Sequence, residues 1–152
     1  MGDRVDYTID EVMFDLHRTS YMNASKIMIA TDFDFHDYPL MKEKLDELLW
    51  IDKIVEFPFK ILSGLEQKED TLAVRYADEH QLTKILFPTN IETGKKLAEK
   101  YRYEDMLEIA DYMIVFTNGE SDDIKYLITC AKKKCVPTCL IKYNRKSKTT
   151  IY

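Results

Sequence analysis

Five short apolar segments alternate with four amphipathic stretches along this chain, and this alternation constrains the fold more than any other feature. The strand-like segments are 26–31, a run within 54–62, 84–88, 112–116 and 136–143. Helical spacing of apolar residues marks 38–50, 69–80, 93–110 (as one helix or two) and the segment that follows the turn at 117–119. Parallel neighbouring strands need long crossovers, which helices supply. The pattern therefore predicts an α/β fold: a Rossmann-like three-layer sandwich around a mostly parallel five-stranded sheet.

The remaining segments predict a single domain with two short additions. Residues 9–22 have helical spacing and precede the first strand, so we expect an extra N-terminal helix within a helical extension at 1–25. The domain itself occupies 26–143, and 144–152 form a basic tail. A chain of 152 residues falls within the usual size of one domain.

Charge and composition narrow the classes of partner. The formal net charge of -5 disfavours binding to nucleic acid or to an anionic membrane. The chain shows no signal-peptide pattern and no apolar run long enough to span a bilayer. Three cysteines, an odd number, indicate free thiols in a reducing compartment. We therefore expect a cytoplasmic protein that has no membrane partner.

In an open parallel sheet, ligands bind beyond the carboxyl ends of the strands, at the point where the strand order reverses. The loops at that edge are 31–38, 63–70, 88–96 and 117–123. Glycines and helix N-termini in such loops suit phosphate. These loops are nevertheless rich in aspartate and glutamate, which repel an unscreened phosphate.

Several residues in and near these loops follow a family pattern in their order and spacing. They are Ala30-Thr31-Asp32-Phe33, Ser63-Gly64 with Asp70, Gly94-Lys95 with Arg102, and Asn118-Gly119. Between 26 and 143 the chain thereby resembles the SLOG superfamily of Rossmann-like nucleotide-binding domains, and within it the YspA group. Two glycines of the family's second loop are replaced here, and the Asn that follows its Arg is replaced by Tyr103.

The resemblance implies a binding site for a nucleotide or a nucleotide-derived signalling ligand. Its predicted residues are Thr31, Asp32, Phe33, Ser63, Gly64, Asp70, Lys95, Arg102, Asn118 and Gly119. Among the basic side chains, Arg102 is best suited to bidentate phosphate contact. The acidic loops leave a divalent metal such as Mg²⁺, bridging carboxylates and phosphate, as an alternative. No cofactor follows from the residues themselves.

Two other functions remain open. In the first, the domain is a degenerate member of the superfamily that acts as a protein-interaction regulator of viral or mobile-element type. In the second, it is a nucleosidase-like enzyme related to phosphoribohydrolases. For the enzyme, Asp70 and Glu120 are the candidate acid–base pair, although the Pro-Gly-Gly-x-Gly-Thr loop of those enzymes is missing. Related folds commonly assemble, so a homo-oligomer is expected by analogy.

The same residues also have ordinary structural interpretations. Asp37, Asp70, Ser121 and Asp122 suit helix N-caps. Lys95 suits a solvated helix face, and Arg102 an ion pair with Asp105 one turn later. The aromatic residues of the first loop, Phe33, Phe35 and Tyr38, either stack on a base or pack against neighbouring helices.

Overall fold

A computed structural model describes residues 11–13, 25–32, 34–64, 70–87 and 95–143. At residues 11–13, 64, 70, 71 and 95–101 it describes the backbone alone. Within these ranges the chain forms one mixed sheet with helices on both faces.

The sheet has six strands, of which five are parallel. The strands are β1 Glu11–Met13, β2 Ser25–Thr31, β3 Phe59–Gly64, β4 Thr83–Phe87, β5 Tyr112–Thr117 and β6 Thr138–Lys142. They lie in the order β1-β6-β5-β2-β3-β4. Strands β2 to β6 are parallel, whereas β1 pairs antiparallel with β6 at the edge. The predicted parallel five-stranded Rossmann-like sheet is confirmed.

Four α-helices connect the parallel strands. They are α1 Tyr38–Leu45, α2 Asp70–Glu79, α3 Lys95–Ile109 and α4 Asp122–Lys133. The segment 93–110 thus contains one helix, α3, and not two. A π-helical turn, Asp46–Ile51, extends α1 without a break.

Alternate residues of each strand point to opposite faces of the sheet and so build two cores. On one face, Ile27, Ile29, Ile114 and Phe116 pack with residues of α1 and α2. On the other face, the intervening residues pack with α3 and α4. That second core contains Met28, Ala30, Met113, Val115, Tyr103, Met106, Leu107, Ile124, Leu127 and Ala131. Because both faces are covered, the central strands are continuously apolar.

The N-terminal prediction is wrong where it can be compared with the structure. A helix was expected over 9–22, but Glu11–Met13 form strand β1. The outer edge of β6 presents backbone N–H and C=O groups that need partners, and β1 supplies them by pairing Val12 with Leu140. A tertiary hydrogen-bond ladder thereby overrides a local helical pattern. The rest of that segment and the tail at 144–152 lie outside the described residues.

None of the helices in the described part of the chain is long and apolar enough to cross a membrane. The three cysteines are free thiols: Cys139 is buried, Cys130 is half-buried and Cys135 is exposed.

We expect Leu107→Ala, in the second core, to lower the free energy of unfolding by about 2–5 kcal/mol, because it removes a fully buried side chain and leaves a cavity. Urea unfolding measures this change. Ile109→Ala, two residues later on the same helix and 38% exposed, is the matched control; its effect is expected to stay within about 0.5 kcal/mol. Equal losses in both variants would contradict this two-face arrangement of the core.

Candidate functional site

The strand order reverses between β2 and β5, which lie side by side at the centre of the sheet. From β2 the chain crosses to the face covered by α1, whereas from β5 it crosses to the face covered by α4. The two connections therefore diverge and leave a crevice at the carboxyl ends of β2 and β5, where open α/β folds bind ligands. We refer to this region, formed by Thr31, Asp32 and 117–121, as the switch-point crevice.

A buried carboxylate lies at the base of the crevice. Asp32, 2% exposed, follows β2 directly. Its Oδ1 accepts a hydrogen bond of 2.7 Å from the hydroxyl of Thr117. Its Oδ2 accepts from the backbone N–H of Asn118 at 2.7 Å and from the hydroxyl of Tyr143 at 2.8 Å. Three donors thereby compensate for the removal of this carboxylate from water.

These contacts join the carboxyl ends of three adjacent strands. Thr117 ends β5, Tyr143 follows β6, and the backbone N–H of Asp32 donates to the carbonyl of Phe116 at 3.1 Å. The structure places three of the predicted site residues, Thr31, Asp32 and Asn118, next to one another. Because both oxygens of Asp32 already accept from protein groups, its contact with a ligand stays a prediction, while its positioning role is visible.

The loop after β5 satisfies its own backbone donors. The N–H of Gly119 donates to Thr117 Oγ1 at 3.0 Å, and the N–H of Glu120 donates to Asn118 Oδ1 at 2.9 Å. Together with the N–H of Asn118, three consecutive amides are thus engaged internally. A phosphate at this loop would have to displace side-chain acceptors instead of meeting free N–H groups.

The helix N-termini on either side of the crevice are capped in the same way. Asp37 accepts from the backbone N–H of Leu40 at the start of α1, and Ser121 accepts from Ile124 at the start of α4. The first turn of α4 also carries Asp122 and Asp123. The capping interpretation of Asp37 and Ser121 is confirmed, and each cap engages one backbone N–H that an anion would otherwise meet.

A lysine that the sequence analysis missed reaches the crevice. Gly119 has a φ of +89°, which favours glycine, and a Cβ atom at this position would lie 2.8 Å from Lys142 Cε. The exposed Lys142 ends β6, paired with Thr117 in the register of the sheet. The bare Cα of Gly119 therefore gives room for the lysine stem, which brings a positive charge to the rim. A signal was present in the sequence, because every parallel strand ends at this edge and Lys142 lies at the end of the last one.

The other predicted site residues lie on β3 and at or within the helices α2 and α3. Ser63 is fully buried near the end of β3, beside Gly64. Arg102 is 3% exposed within α3, with its guanidinium carbon 5.3 Å from the centroid of the Tyr103 ring. Asp70 and Lys95 are the first residues of α2 and α3.

Two predictions fall partly outside the described residues. Phe33 lies outside the described residues, and so does the side chain of Asp70, so its pairing with the exposed Glu120 stays a prediction. By contrast, Phe35 is 1% exposed and stacks on Phe116 with ring centroids 5.4 Å apart. It packs within the first core, as the structural interpretation of the loop aromatics predicts.

A second polar cluster, also missed from the sequence, lies at the opposite end of the sheet. The hydroxyl of Tyr76 donates to Asp46 Oδ1 at 2.8 Å and accepts from the Trp50 indole N–H at 2.9 Å. His80 Nε2 lies 3.3 Å from the same carboxylate oxygen, and its ring stacks on Tyr76 with centroids 4.0 Å apart. The residues come from the π-helical turn, from α2 and from the turn that follows α2, and their spacing along the chain gives no motif.

Electrostatics in this cluster favour a charged Asp46 and a neutral Tyr76. Burial acts to raise the pKa of the Asp46 carboxyl, but the hydrogen bonds from Tyr76 and Lys42 outweigh it and hold that pKa below its usual range. Burial and the hydrogen bond to Asp46 together raise the pKa of the Tyr76 phenol. The cluster therefore stabilises the contact between the π-helical turn and α2.

Metal binding finds no support in the part of the chain that the structure describes, where no group of three His, Cys, Asp or Glu side chains is arranged to hold an ion. Comparison with protein-family models, curated proteins and solved structures found no match to the chain. The resemblance to the SLOG superfamily therefore stays a prediction.

We expect Asp32→Asn to lower the free energy of unfolding by about 1.5–3 kcal/mol, because either orientation of the amide sets an N–H₂ group against a donor. Urea unfolding at neutral pH gives the value. Asp105→Asn, at an exposed position on α3, removes the same charge without such partners and serves as the control. Equal stability of both variants would show that the three contacts of Asp32 do not hold the strand ends together.

The lowered pKa of Asp46 predicts a loss of stability in acid. Its carboxylate stabilises the folded state above the unfolded pKa of about 3.9, and this contribution disappears as the pH falls through the lower, folded value. Asp46→Asn should therefore destabilise the protein at neutral pH, and the difference from the parent should shrink below about pH 4. Unfolding curves across this range test it; a difference independent of pH would contradict the assignment.

Proposed function

We propose that this protein binds a nucleotide-derived small molecule in the switch-point crevice and that it acts by binding, without a required turnover step. The observation that carries the proposal is the placement of Lys142 beside Gly119, at the rim of the crevice formed by β2 and β5.

The rigid base of the crevice supports this proposal. The buried Asp32 carboxylate ties the ends of β2, β5 and β6 together through Thr117, Asn118 and Tyr143. A site whose walls are already held in place loses less conformational freedom when a ligand binds.

Charge at the crevice favours a ligand with few negative charges. Lys142 is exposed and carries a positive charge beside Gly119, where it can attract an anion. Against it stand Glu120, Asp122 and Asp123, and the neighbouring helix N-termini are capped by side chains. We therefore expect nucleoside monophosphates, cyclic nucleotides or dinucleotides to bind better than a bare triphosphate.

A thermal-shift screen tests the proposal, because a ligand at a hundred times its Kd adds about 2.7 kcal/mol to the stability of the native state. We expect a rise in Tm with a monophosphate or a cyclic nucleotide, and a smaller rise with ATP unless Mg²⁺ screens its charge. Lys142→Met should abolish the shift. Lys133→Met, an exposed lysine in the last turn of α4, is the matched control and should leave the shift intact.

The second candidate function is a protein-interaction module. It is favoured by the internal engagement of the amides of 118–120 and by the caps Asp37 and Ser121, which leave the usual phosphate cradle of this fold class occupied. If no ligand of the panel raises the Tm, even at concentrations above a millimolar Kd, the first proposal is overturned in favour of the second.

A further inference from the structure

The end of the sheet opposite the switch-point crevice carries an exposed aromatic surface. It consists of Trp50 and Ile51 in the π-helical turn and Phe57 in the loop before β3, with Lys53 and Glu56 at its rim; we call it the aromatic face. Ile51 and Phe57 are 72% and 64% exposed, more than the other exposed large apolar side chains of the described residues. Clustered exposure of this kind is typical of interaction surfaces.

The rings of the aromatic face pack against one another and against their neighbours. The indole N–H of Trp50 donates to Tyr76, and the Trp50 ring lies 5.8 Å from Phe57 and 5.1 Å from Phe59, measured between ring centroids. Aromatic side chains that are already ordered lose little entropy on association, and they are enriched at the centres of interfaces.

Two open depressions adjoin on this face and share Trp50 as a wall. The first, of about 530 Å³, is lined by Asp46, Trp50, Ile51 and His80. The second, of about 420 Å³, is lined by Leu49, Trp50, Lys53, Val55, Glu56 and Phe57. Projecting apolar side chains thus stand next to hollows with apolar walls. A surface with both features is able to pair with its own copy, as a two-fold interface requires.

The rim charges are also self-complementary. Lys53 and Glu56 are both exposed and carry opposite charges on the same rim. A two-fold axis that passes between these residues would set Lys53 of one copy opposite Glu56 of the other, and the reciprocal pair would form at the same time. A rim without a lysine could not form such pairs.

We propose that the aromatic face is the two-fold interface of a homodimer, in which Phe57 of each copy enters the depression beside Trp50 of the other. The interface lies at the amino ends of the strands, so it leaves the crevice at the carboxyl ends open in both copies. The proposal therefore does not depend on the proposed ligand site.

The mass of the full chain in solution, measured by sedimentation equilibrium over a wide concentration range, tests the dimer. We expect the parent protein to be a dimer and Phe57→Glu to raise the dimer Kd at least about thirtyfold, since it places a charge at the centre of the interface. Leu86→Glu is the control: Leu86 is 37% exposed on the edge strand β4, away from this face. A monomeric parent, or dissociation by Leu86→Glu and not by Phe57→Glu, would overturn the proposal.

Mixing two charge variants tests the pairing itself. Lys53→Glu alone sets two glutamates opposite each other, and Glu56→Lys alone sets two lysines opposite each other, so each variant should be more monomeric than the parent. An equimolar mixture restores both opposite-charge pairs and should form a heterodimer. If Lys53 and Glu56 paired within one chain, mixing the two variants would not restore that pair. Folded single variants, verified by circular dichroism, that dimerise like the parent or that stay monomeric when mixed would refute the assigned contact.

Discussion

The structure depends on a carboxylate that is buried where the strand order reverses. Without partners, a carboxylate as deeply buried as that of Asp32 would destabilise the folded state strongly. Thr117, Asn118 and Tyr143 supply the donors. Satisfying one charge therefore fixes the ends of three strands. It also fixes the path of the loop after β5, in which Gly119 takes its left-handed conformation. The geometry of the crevice thus follows from one requirement, that Asp32 keep all three donors.

The same requirement explains why the crevice differs from a phosphate cradle. Amides that elsewhere in this fold class would point at a ligand are used here to complete the network around Asp32 and Asn118. Positive charge enters instead from a strand end, on the flexible stem of Lys142. A point charge on a long side chain adapts to ligands of different shape, whereas backbone amides fix one geometry.

Much of the fold was predictable because its signal is local and repeated. Runs such as 112–116 and the apolar stripe of α4 with Ile124, Leu127 and Ala131 follow directly from burial on two faces or on one. The caps Asp37 and Ser121 were also predictable, since a cap is a local hydrogen bond. The rest was not, because the partners are far apart in sequence. Strand β1 forms only because β6 has an open edge, and the cluster of Asp46, Tyr76 and His80 exists only after α1 and α2 pack together.

The antiparallel pairing of β1 makes the N-terminal segment part of the sheet architecture. A shortened chain that began at Ser25 would keep the five parallel strands but uncover the backbone of β6 along Cys139–Ile141, where β1 now pairs. In such a chain β6, a longer strand than β1, would become the edge of the sheet beyond β5, and longer exposed edges favour joining of sheets from different molecules. The three residues of β1 thus replace a longer edge strand by a very short one, which disfavours edge-to-edge association and is separate from any contribution to ligand recognition.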